Sequence, residues 1–208
     1  MRSGAVAWLY EIYGYKVFTL KGGYKSFRKL VLDEFEKERK VLVLGGKTGS
    51  AKTRILLELQ KVIPAIDLEA LAHHKGSSFG SIGELPQPSQ EHFENKLAME
   101  LRDTDSSKNL LLEDESKLIG QRIIPRKLFE LMRSCKVLYL DIPFEERAKY
   151  IAEHYGKYPK EELMAATERI LKKLDTRYSK DALRFIEEGN LLESFKISLK
   201  YYDKTYDF

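Results

Sequence analysis

The sequence lacks the features of secreted and membrane proteins. Among 208 residues there is one cysteine, Cys135, which excludes an internal disulfide and any metal site built from cysteines alone. No apolar run approaches the length of a membrane span, and the N-terminus has no apolar stretch followed by a small-residue cleavage site. We therefore expect a cytoplasmic protein that has no membrane partner.

Cysteine and histidine offer little for metal binding or nucleophilic catalysis. Cys135 precedes the apolar run 137–140, so we expect a buried structural thiol rather than a nucleophile. The adjacent residues His73 and His74 point in different directions on most backbones, which argues against a zinc site. No set of metal ligands is predicted from these residues.

Positive charge is concentrated near the N-terminus. Residues 1–40 contain nine basic and five acidic side chains, so their excess equals the whole formal net charge of +4. A basic segment is compatible with a polyanionic partner such as RNA, and equally with a solvated helix surface. The chain is long enough for one α/β domain with a smaller appendage.

A glycine-bearing segment between an apolar run and an amphipathic helix predicts a phosphate-binding loop. Residues 41–44 are typical of a buried strand, and residues 53–60 carry a helical apolar stripe. In such a loop the positive end of the helix dipole faces phosphate oxygens and Lys52 reaches the terminal phosphates. The Thr53 hydroxyl ligates Mg²⁺ if a metal accompanies the ligand. An ordinary glycine-rich turn is the alternative. The candidate phosphate-binding residues are Gly46, Thr48, Gly49, Ser50, Ala51, Lys52 and Thr53.

Ala51 departs from this pattern, because the residue before the lysine is usually glycine. Its methyl group would crowd a bound phosphate, or would be harmless if its φ angle is negative. The sequence leaves both outcomes open.

Strands alternate with helices from residue 41 onward, which predicts a parallel sheet covered by helices on both faces. Ligands of such sheets bind at the carboxyl ends of the strands. The last fifty residues are strongly helical. Before residue 41, a predicted helix over 4–13, a strand over 15–20 and a helix over 26–38 are too small a unit to bury their own apolar faces. They must dock on the main domain or on another chain. The predicted strands of the sheet are 41–44, 65–68, 109–112 and 137–140.

The long connection from His73 to Gln90 begins where the second predicted strand ends, so we expect it to lie over the phosphate loop. It combines hydrogen-bond donors with an aromatic ring, which suits gripping a phosphorylated ligand or stacking a base. A polar lid without chemistry is the alternative. The candidate substrate-binding and tRNA-binding residues are His74, Lys75, Gly76, Ser77, Ser78, Phe79, Gln87, Ser89 and Gln90.

Two further groups are candidates for chemistry beside the loop. The apolar run 110–112 ends in carboxylates, of which Glu113 and Glu115 face the same way if the strand continues. They would act as a magnesium partner or a water-orienting base, or would form a solvated acidic turn. Arg147 opens the helix after the fourth strand and could clamp phosphate, with a surface ion pair as the alternative.

Five motifs occur along the chain: Gly46 to Thr53, Asp67-Leu68-Glu69, His74 to Gly80, Gln87 to Gln90 with Phe93-Glu94-Asn95, and Glu113 to Ser116 with Ile119-Gly120. In this order they resemble the motifs of the tRNA 2-selenouridine synthase family, and residues 1–9 and 22–25 are similar to the end of that family's rhodanese domain. The resemblance implies a P-loop NTPase-like parallel sheet flanked by helices, with a C-terminal helical extension. It also implies a rhodanese remnant with its connecting helix over 1–38 and a P-loop domain over 39–208.

The resemblance implies a role in replacing the sulfur of wobble 2-thiouridine in tRNA with selenium from selenophosphate, through an S-geranylated intermediate made from geranyl diphosphate. The loop would hold the diphosphate, with Lys52, Glu113 and Arg147 as catalytic residues. The family's catalytic cysteine is expected just before Met1 and is absent, so we expect a separate rhodanese-like subunit as a partner besides tRNA. A small-molecule kinase or ATPase and a noncatalytic tRNA-binding subunit are the alternatives.

Overall fold

The computed structural model describes residues 2–171 and 176–206, which form ten helices and six strands within those ranges. None of these helices combines the length and hydropathy needed to cross a membrane. The helices are α1 Arg2–Ile12, α2 Gly23–Phe35, α3 Lys52–Leu59, α4 Leu68–Ala72, α5 Gln90–Asp103, α6 Arg126–Ser134, α7 Phe144–Tyr155, α8 Lys160–Leu171, α9 Thr176–Glu187 and α10 Leu191–Tyr206. The strands are β1 Val41–Gly46, β2 Ala65–Ile66, β3 Leu110–Glu113, β4 Leu118–Ile119, β5 Arg122–Ile123 and β6 Val137–Leu140.

Four strands form one parallel sheet in the order β2-β3-β1-β6, which confirms the predicted fold class. The central strand β1 pairs with β3 so that Leu44 lies opposite Glu113. Because parallel strands end at the same edge, the loop after β1 and the acidic residues after β3 are neighbours. The short hairpin of β4 and β5 is a separate antiparallel pair, which the sequence did not predict.

Apolar side chains cover both faces of the central strands. On one face Val43 and Leu112 pack with Phe93 and Leu97 of α5 in the largest core cluster. On the other face Leu44 and Leu111 pack against Leu56 of α3. Cys135 is a half-buried free thiol that packs against the larger core. The alternation of strands and helices therefore produces the layered core expected from the sequence.

The C-terminal helices form a second core beside the sheet. Phe195 and Leu199 of α10 are buried against Ile151 and Tyr155 of α7. Phe79, from the long loop after α4, inserts into the same cluster. The predicted C-terminal helical extension is therefore a packed helical layer that meets the loop region of the sheet.

The N-terminal part is less complete. Helix α1 forms as predicted, but Trp8 and Ile12 on it are exposed, and so is Phe18 after it. The predicted strand over 15–20 is wrong, because these residues form neither helix nor strand. A strand requires a neighbour that pairs with its backbone, and the described residues supply none at this place. Helix α2, in contrast, is attached to α5, where Arg28 contacts Glu94 and Asn95.

Candidate active site

The loop between β1 and α3 has the shape of a phosphate cradle. A methyl group on Gly49, whose φ is 83°, would lie 2.7 Å from Cδ1 of Ile151, so only glycine fits between the loop and α7. A methyl group on Gly46 would lie 2.6 Å from Oγ of Ser50. The Lys52 ammonium group donates to the carbonyl oxygen of Gly46 at 2.9 Å. The lysine therefore folds back over the loop at the N-terminal end of α3, where the helix dipole favours an anion.

Ala51 adopts the left-handed conformation, with φ 58° and ψ 32°. A negative φ would have made the alanine methyl group harmless, but φ is positive. The alanine therefore strains the backbone at the start of α3. The loop keeps its shape despite this residue, because β1 and α3 hold its two ends. Ala51 also lines the cavity described below.

Replacing Ala51 with glycine is expected to raise the free energy of unfolding by about 0.5–1 kcal/mol, because glycine adopts this conformation without the clash of a Cβ atom. Urea unfolding measures the change. The matched control is Ala70→Gly on α4, an exposed helical position where glycine lowers stability. A loss of stability in both variants would contradict the assigned strain.

Three glutamates meet beside the lysine. Carboxylate oxygens of Glu69 on α4, Glu113 at the end of β3 and Glu115 lie within 4.8 Å of one another. The Thr53 hydroxyl donates to Glu69 at 3.1 Å. Glu113 is fully buried, and neither of its oxygens has a hydrogen-bond partner among the described residues. A buried carboxylate without a partner is costly, so this geometry suits a cation.

Burial and mutual repulsion raise the pKa values of all three carboxyl groups. Burial, reinforced by Glu115, raises the pKa of Glu69 to about 8. Burial, with Glu69 beside it, raises the pKa of Glu113 to about 8. Burial likewise raises the pKa of Glu115 to about 7, with Glu113 as the second cause. The ammonium group of Lys52 opposes all three shifts, so a further positive charge would favour the ionised cluster.

The carboxylate cluster and the Thr53 hydroxyl fit a divalent cation, since oxygen ligands of this kind suit Mg²⁺. Sequence analysis predicted roles for Thr53, Glu113 and Glu115 one by one, but it did not predict that Glu69 belongs to the same carboxylate cluster. Glu69 follows β2, the neighbour of β3, and only the strand order brings it to the same edge. The Asp-Leu-Glu motif that contains it was the only available signal.

A cavity of about 930 Å³ opens from the phosphate loop. Residues 48–53 contribute to its lining, together with Glu69 and Glu115. A second group of lining residues is apolar and largely aromatic, and it comes from α7, α10 and the long loop. Its members are Phe79, Ile151, Tyr155, Phe195, Leu199 and Tyr202. The cavity therefore suits a ligand with a charged phosphate end and an apolar body.

The first part of the long loop reaches this cavity. Lys75, Gly76, Ser77 and Phe79 are among the lining residues. Lys75 pairs with Glu84 at 2.9 Å, and its ammonium group lies 5.7 Å from the centre of the Tyr155 ring. Phe79 is only 4% exposed and packs in the helical core, so it is a wall residue rather than an open stacking surface.

Two other residues of the long loop, Ser78 and His74, make contacts within the protein and do not line the cavity. The backbone of Ser78 donates to the Tyr202 hydroxyl at 3.0 Å, and its carbonyl oxygen accepts from Arg169 at 2.8 Å. His74 packs against Gly80 and Gly120, and its Nδ1 atom is buried without a hydrogen-bond partner among the described residues. Burial lowers the pKa of His74, so the neutral imidazole is favoured.

The second part of the loop has a structural role in this conformation. The amide of Gln87 donates to Ala72 and Ile119, and its oxygen accepts from the backbone of Gln121. Ser89 caps α5 by accepting from the backbone of His92 at 3.1 Å. Gln90 bonds both backbone groups of Ile123. These three side chains thus connect the end of the long loop to the β4–β5 hairpin and to the start of α5. None of them lines the cavity.

Arg147 does not face the cavity. Its guanidinium donates to the carbonyl oxygens of Thr48 at 3.0 Å and Ile142 at 3.1 Å. It also forms a two-point ion pair with Asp203, at 2.9 and 2.6 Å. The side chain is 4% exposed. These contacts hold the phosphate loop from behind and do not leave the guanidinium directed at a bound phosphate.

Sequence comparisons agree with the fold and identify the family. Residues 39–188 match the family model described as the tRNA 2-selenouridine synthase AAA domain. A tRNA 2-selenouridine synthase of Sulfurovum sp. (strain NBC37-1) is 37% identical over 98% of this chain and 64% of its own length. Those of Hydrogenovibrio crunogenus and Aeromonas salmonicida are 34% and 43% identical, over 94% and 71% of this chain and 62% and 40% of their own lengths. The chain thus spans less than two thirds of these curated relatives. No solved structure matches it significantly.

Proposed function

The chain belongs to the tRNA 2-selenouridine synthase family, and we propose that it is the P-loop part of an enzyme that converts wobble 2-thiouridine in tRNA to 2-selenouridine. In this proposal geranyl diphosphate first alkylates the thiouridine sulfur. Selenium from selenophosphate then displaces the S-geranyl group, which leaves as geranyl thiol, while the selenium–phosphorus bond is hydrolysed to release phosphate. The observation that carries the proposal is the single cavity that joins a phosphate loop to an aromatic wall. A diphosphate with an isoprenoid tail has this same division into a charged end and an apolar body.

The first step needs charge stabilisation more than it needs a nucleophile from the protein. The thiouridine sulfur attacks the allylic carbon, a carbon–sulfur bond forms, the carbon–oxygen bond to the diphosphate breaks, and the ring N–H proton of the base is lost to water. Negative charge grows on the departing diphosphate, beside Lys52 and the N-terminal end of α3. Donors that are already in place stabilise this charge without reorganising, which lowers the barrier.

A divalent cation would add to this stabilisation. Glu69, Glu113 and Glu115, with the hydroxyl of Thr53, would hold Mg²⁺ on the phosphate side of the cavity. The ion would supply positive charge against the diphosphate oxygens. Lys52 lies on the same side, so both the ion and the ammonium group would stabilise the leaving group.

We propose that a rhodanese-like subunit supplies the cysteine for the selenium step. The exposed apolar residues Trp8, Leu9, Ile12 and Phe18 require a cover, and two relatives that align with more than 90% of this chain are covered over only 64% and 62% of their own lengths. Helix α1 and residues 15–20 would complete the fold of that subunit. The backbone of residues 15–20, which forms no strand here, would pair with a strand of that subunit.

The experiment that tests the proposed function measures nucleoside masses. The full chain is incubated with tRNA that contains 2-thiouridine, geranyl diphosphate and Mg²⁺, with and without the rhodanese-like subunit. We expect S-geranyl-2-thiouridine, a tRNA affinity that falls steeply with salt, and selenouridine only when the subunit and selenophosphate are added. No modified nucleoside under any condition would refute the proposal. ATP turnover that is unaffected by tRNA and lost in Lys52→Ala would favour a kinase or ATPase.

Ser198 provides a test of the apolar wall. It lies on the cavity face of α10, is 2% exposed, and its hydroxyl has no partner among the described residues. We expect Ser198→Phe to weaken geranyl diphosphate binding about tenfold, since the ring would fill part of the cavity. Binding of inorganic diphosphate should not change. Ser198→Ala, which adds no volume, is the matched control. If Ser198→Phe weakened the binding of geranyl diphosphate and of inorganic diphosphate equally, Ser198 would not lie beside the apolar part of the ligand.

A further inference from the structure

The last turn of α10 contacts both loops that border the cavity. Asp203 forms the two-point ion pair with Arg147, whose guanidinium also donates to the Thr48 carbonyl of the phosphate loop. One residue earlier, the Tyr202 hydroxyl accepts from the backbone of Ser78 in the long loop. The end of one helix is thus attached to two segments that are 30 and more residues apart in sequence.

The ion pair is built to fix a geometry. Arg147 is 4% exposed and directs donors at three acceptors, so its orientation is determined by all of them together. A planar guanidinium matches a carboxylate in one relative orientation, which makes such a pair more directional than a lysine contact. Asp203 therefore sets where the guanidinium lies, and the guanidinium sets where Thr48 lies.

The Thr48 carbonyl is a sensitive point of the loop. Gly49 follows it and packs against α7, where an added methyl group would meet the Arg147 carbonyl at 3.0 Å. Rotation of the Thr48 peptide would change the direction of the loop just before Lys52. Displacements of about 1 Å in a site of this kind cost up to about 100-fold in function.

We infer that Asp203 is a positioning residue of the phosphate site: through Arg147 it holds the Thr48 carbonyl so that the loop is ready to bind diphosphate. This inference rests on the proposed function only in that it takes diphosphate as the ligand of the loop. Asp203 is not among the residues that line the cavity. Its effect passes through the guanidinium alone.

The test measures binding of inorganic diphosphate to the full chain by calorimetry, together with the free energy of unfolding. Asp203→Asn is expected to weaken binding about tenfold or more, and Asp203→Glu to restore most of it. Because the single variant leaves a buried, uncompensated arginine and is expected to lose stability, a second variant is needed. Arg147→Leu with Asp203→Leu removes the pair without leaving a buried charge.

The double variant separates positioning from stability. We expect the free energy of unfolding of the double variant to be close to that of the wild type. We expect its affinity for diphosphate to be as low as that of Asp203→Asn, since the hydrogen bond to the Thr48 carbonyl is missing. Asp181→Asn, which breaks an exposed ion pair with Arg184 on α9, is the control and should leave binding unchanged. Wild-type affinity in the double variant would overturn the inference, as would a wild-type chain that binds no diphosphate. A chain that binds diphosphate through this anchor but does not modify tRNA would refute the proposed function alone.

Discussion

Replacing Lys52 with alanine is expected to weaken binding of inorganic diphosphate about 100-fold and to slow geranyl transfer about 1000-fold. The ammonium group is the charged donor at the start of α3, and it lies 2.9 Å from the Gly46 carbonyl at the bottom of the loop. The larger effect on rate follows because, in the proposed transfer, charge on the diphosphate grows as the carbon–oxygen bond breaks. Calorimetry measures the first change, and the rate of S-geranyl nucleoside formation measures the second.

Lys61→Ala is the matched control for this prediction. Lys61 follows the same helix but points to solvent, where it pairs with Glu58. We expect neither binding nor transfer to change in this variant, because an exposed ion pair contributes little and Lys61 itself lies beyond the end of α3 and does not line the cavity. If Lys52→Ala retained wild-type affinity, residues 46–53 would not be the diphosphate site.

Replacing Glu113 with glutamine is expected to change how stability depends on pH. In the wild type the folded-state pKa of Glu113 is raised to about 8, above the value near 4.5 of an exposed glutamate. The folded state therefore holds more protons than the unfolded state between these two values. The stability that this contributes is fully present below pH 4.5 and is lost as the pH rises towards 8.

Urea unfolding at pH 5 and at pH 8.5, without divalent cations, measures this effect. We expect the wild type to lose on the order of 2 kcal/mol across this range and Glu113→Gln to lose clearly less, since the amide does not ionise. Mg²⁺ should restore wild-type stability at pH 8.5, where the cluster is ionised, and should have little effect on the variant. Glu100→Gln on the exposed face of α5 is the control. Equal pH profiles in wild type and Glu113→Gln would contradict the assigned burial.

Local sequence patterns were sufficient for β1, the glycine loop and α3. The apolar run, the required glycines and the helical stripe are all contiguous, so no distant contact is needed to recognise them. The predicted strand over 15–20 failed for the opposite reason. Its alternating pattern is local, but a strand is stabilised by a partner, and the described residues provide none there.

The remaining parts of the site depend on contacts between distant segments. Glu69 meets Glu113 because β2 lies beside β3, and the Arg147 guanidinium finds Asp203 because α10 folds back along α7. The spacing of these residues in the sequence does not predict either contact. The φ angle of Ala51 was likewise undetermined, because the residue type allows both signs and the loop geometry selects the costly one.

The order of the phosphate loop and α10 along the chain has a consequence for folding during synthesis. Phe195, Leu199 and Tyr202 complete the cavity wall, and Asp203 anchors the loop that formed some 150 residues earlier. A nascent chain that still holds these residues inside the ribosome has the loop but not its wall or its anchor. We therefore expect ligand affinity to arise only after α10 has left the ribosome and packed against α7 and the loop.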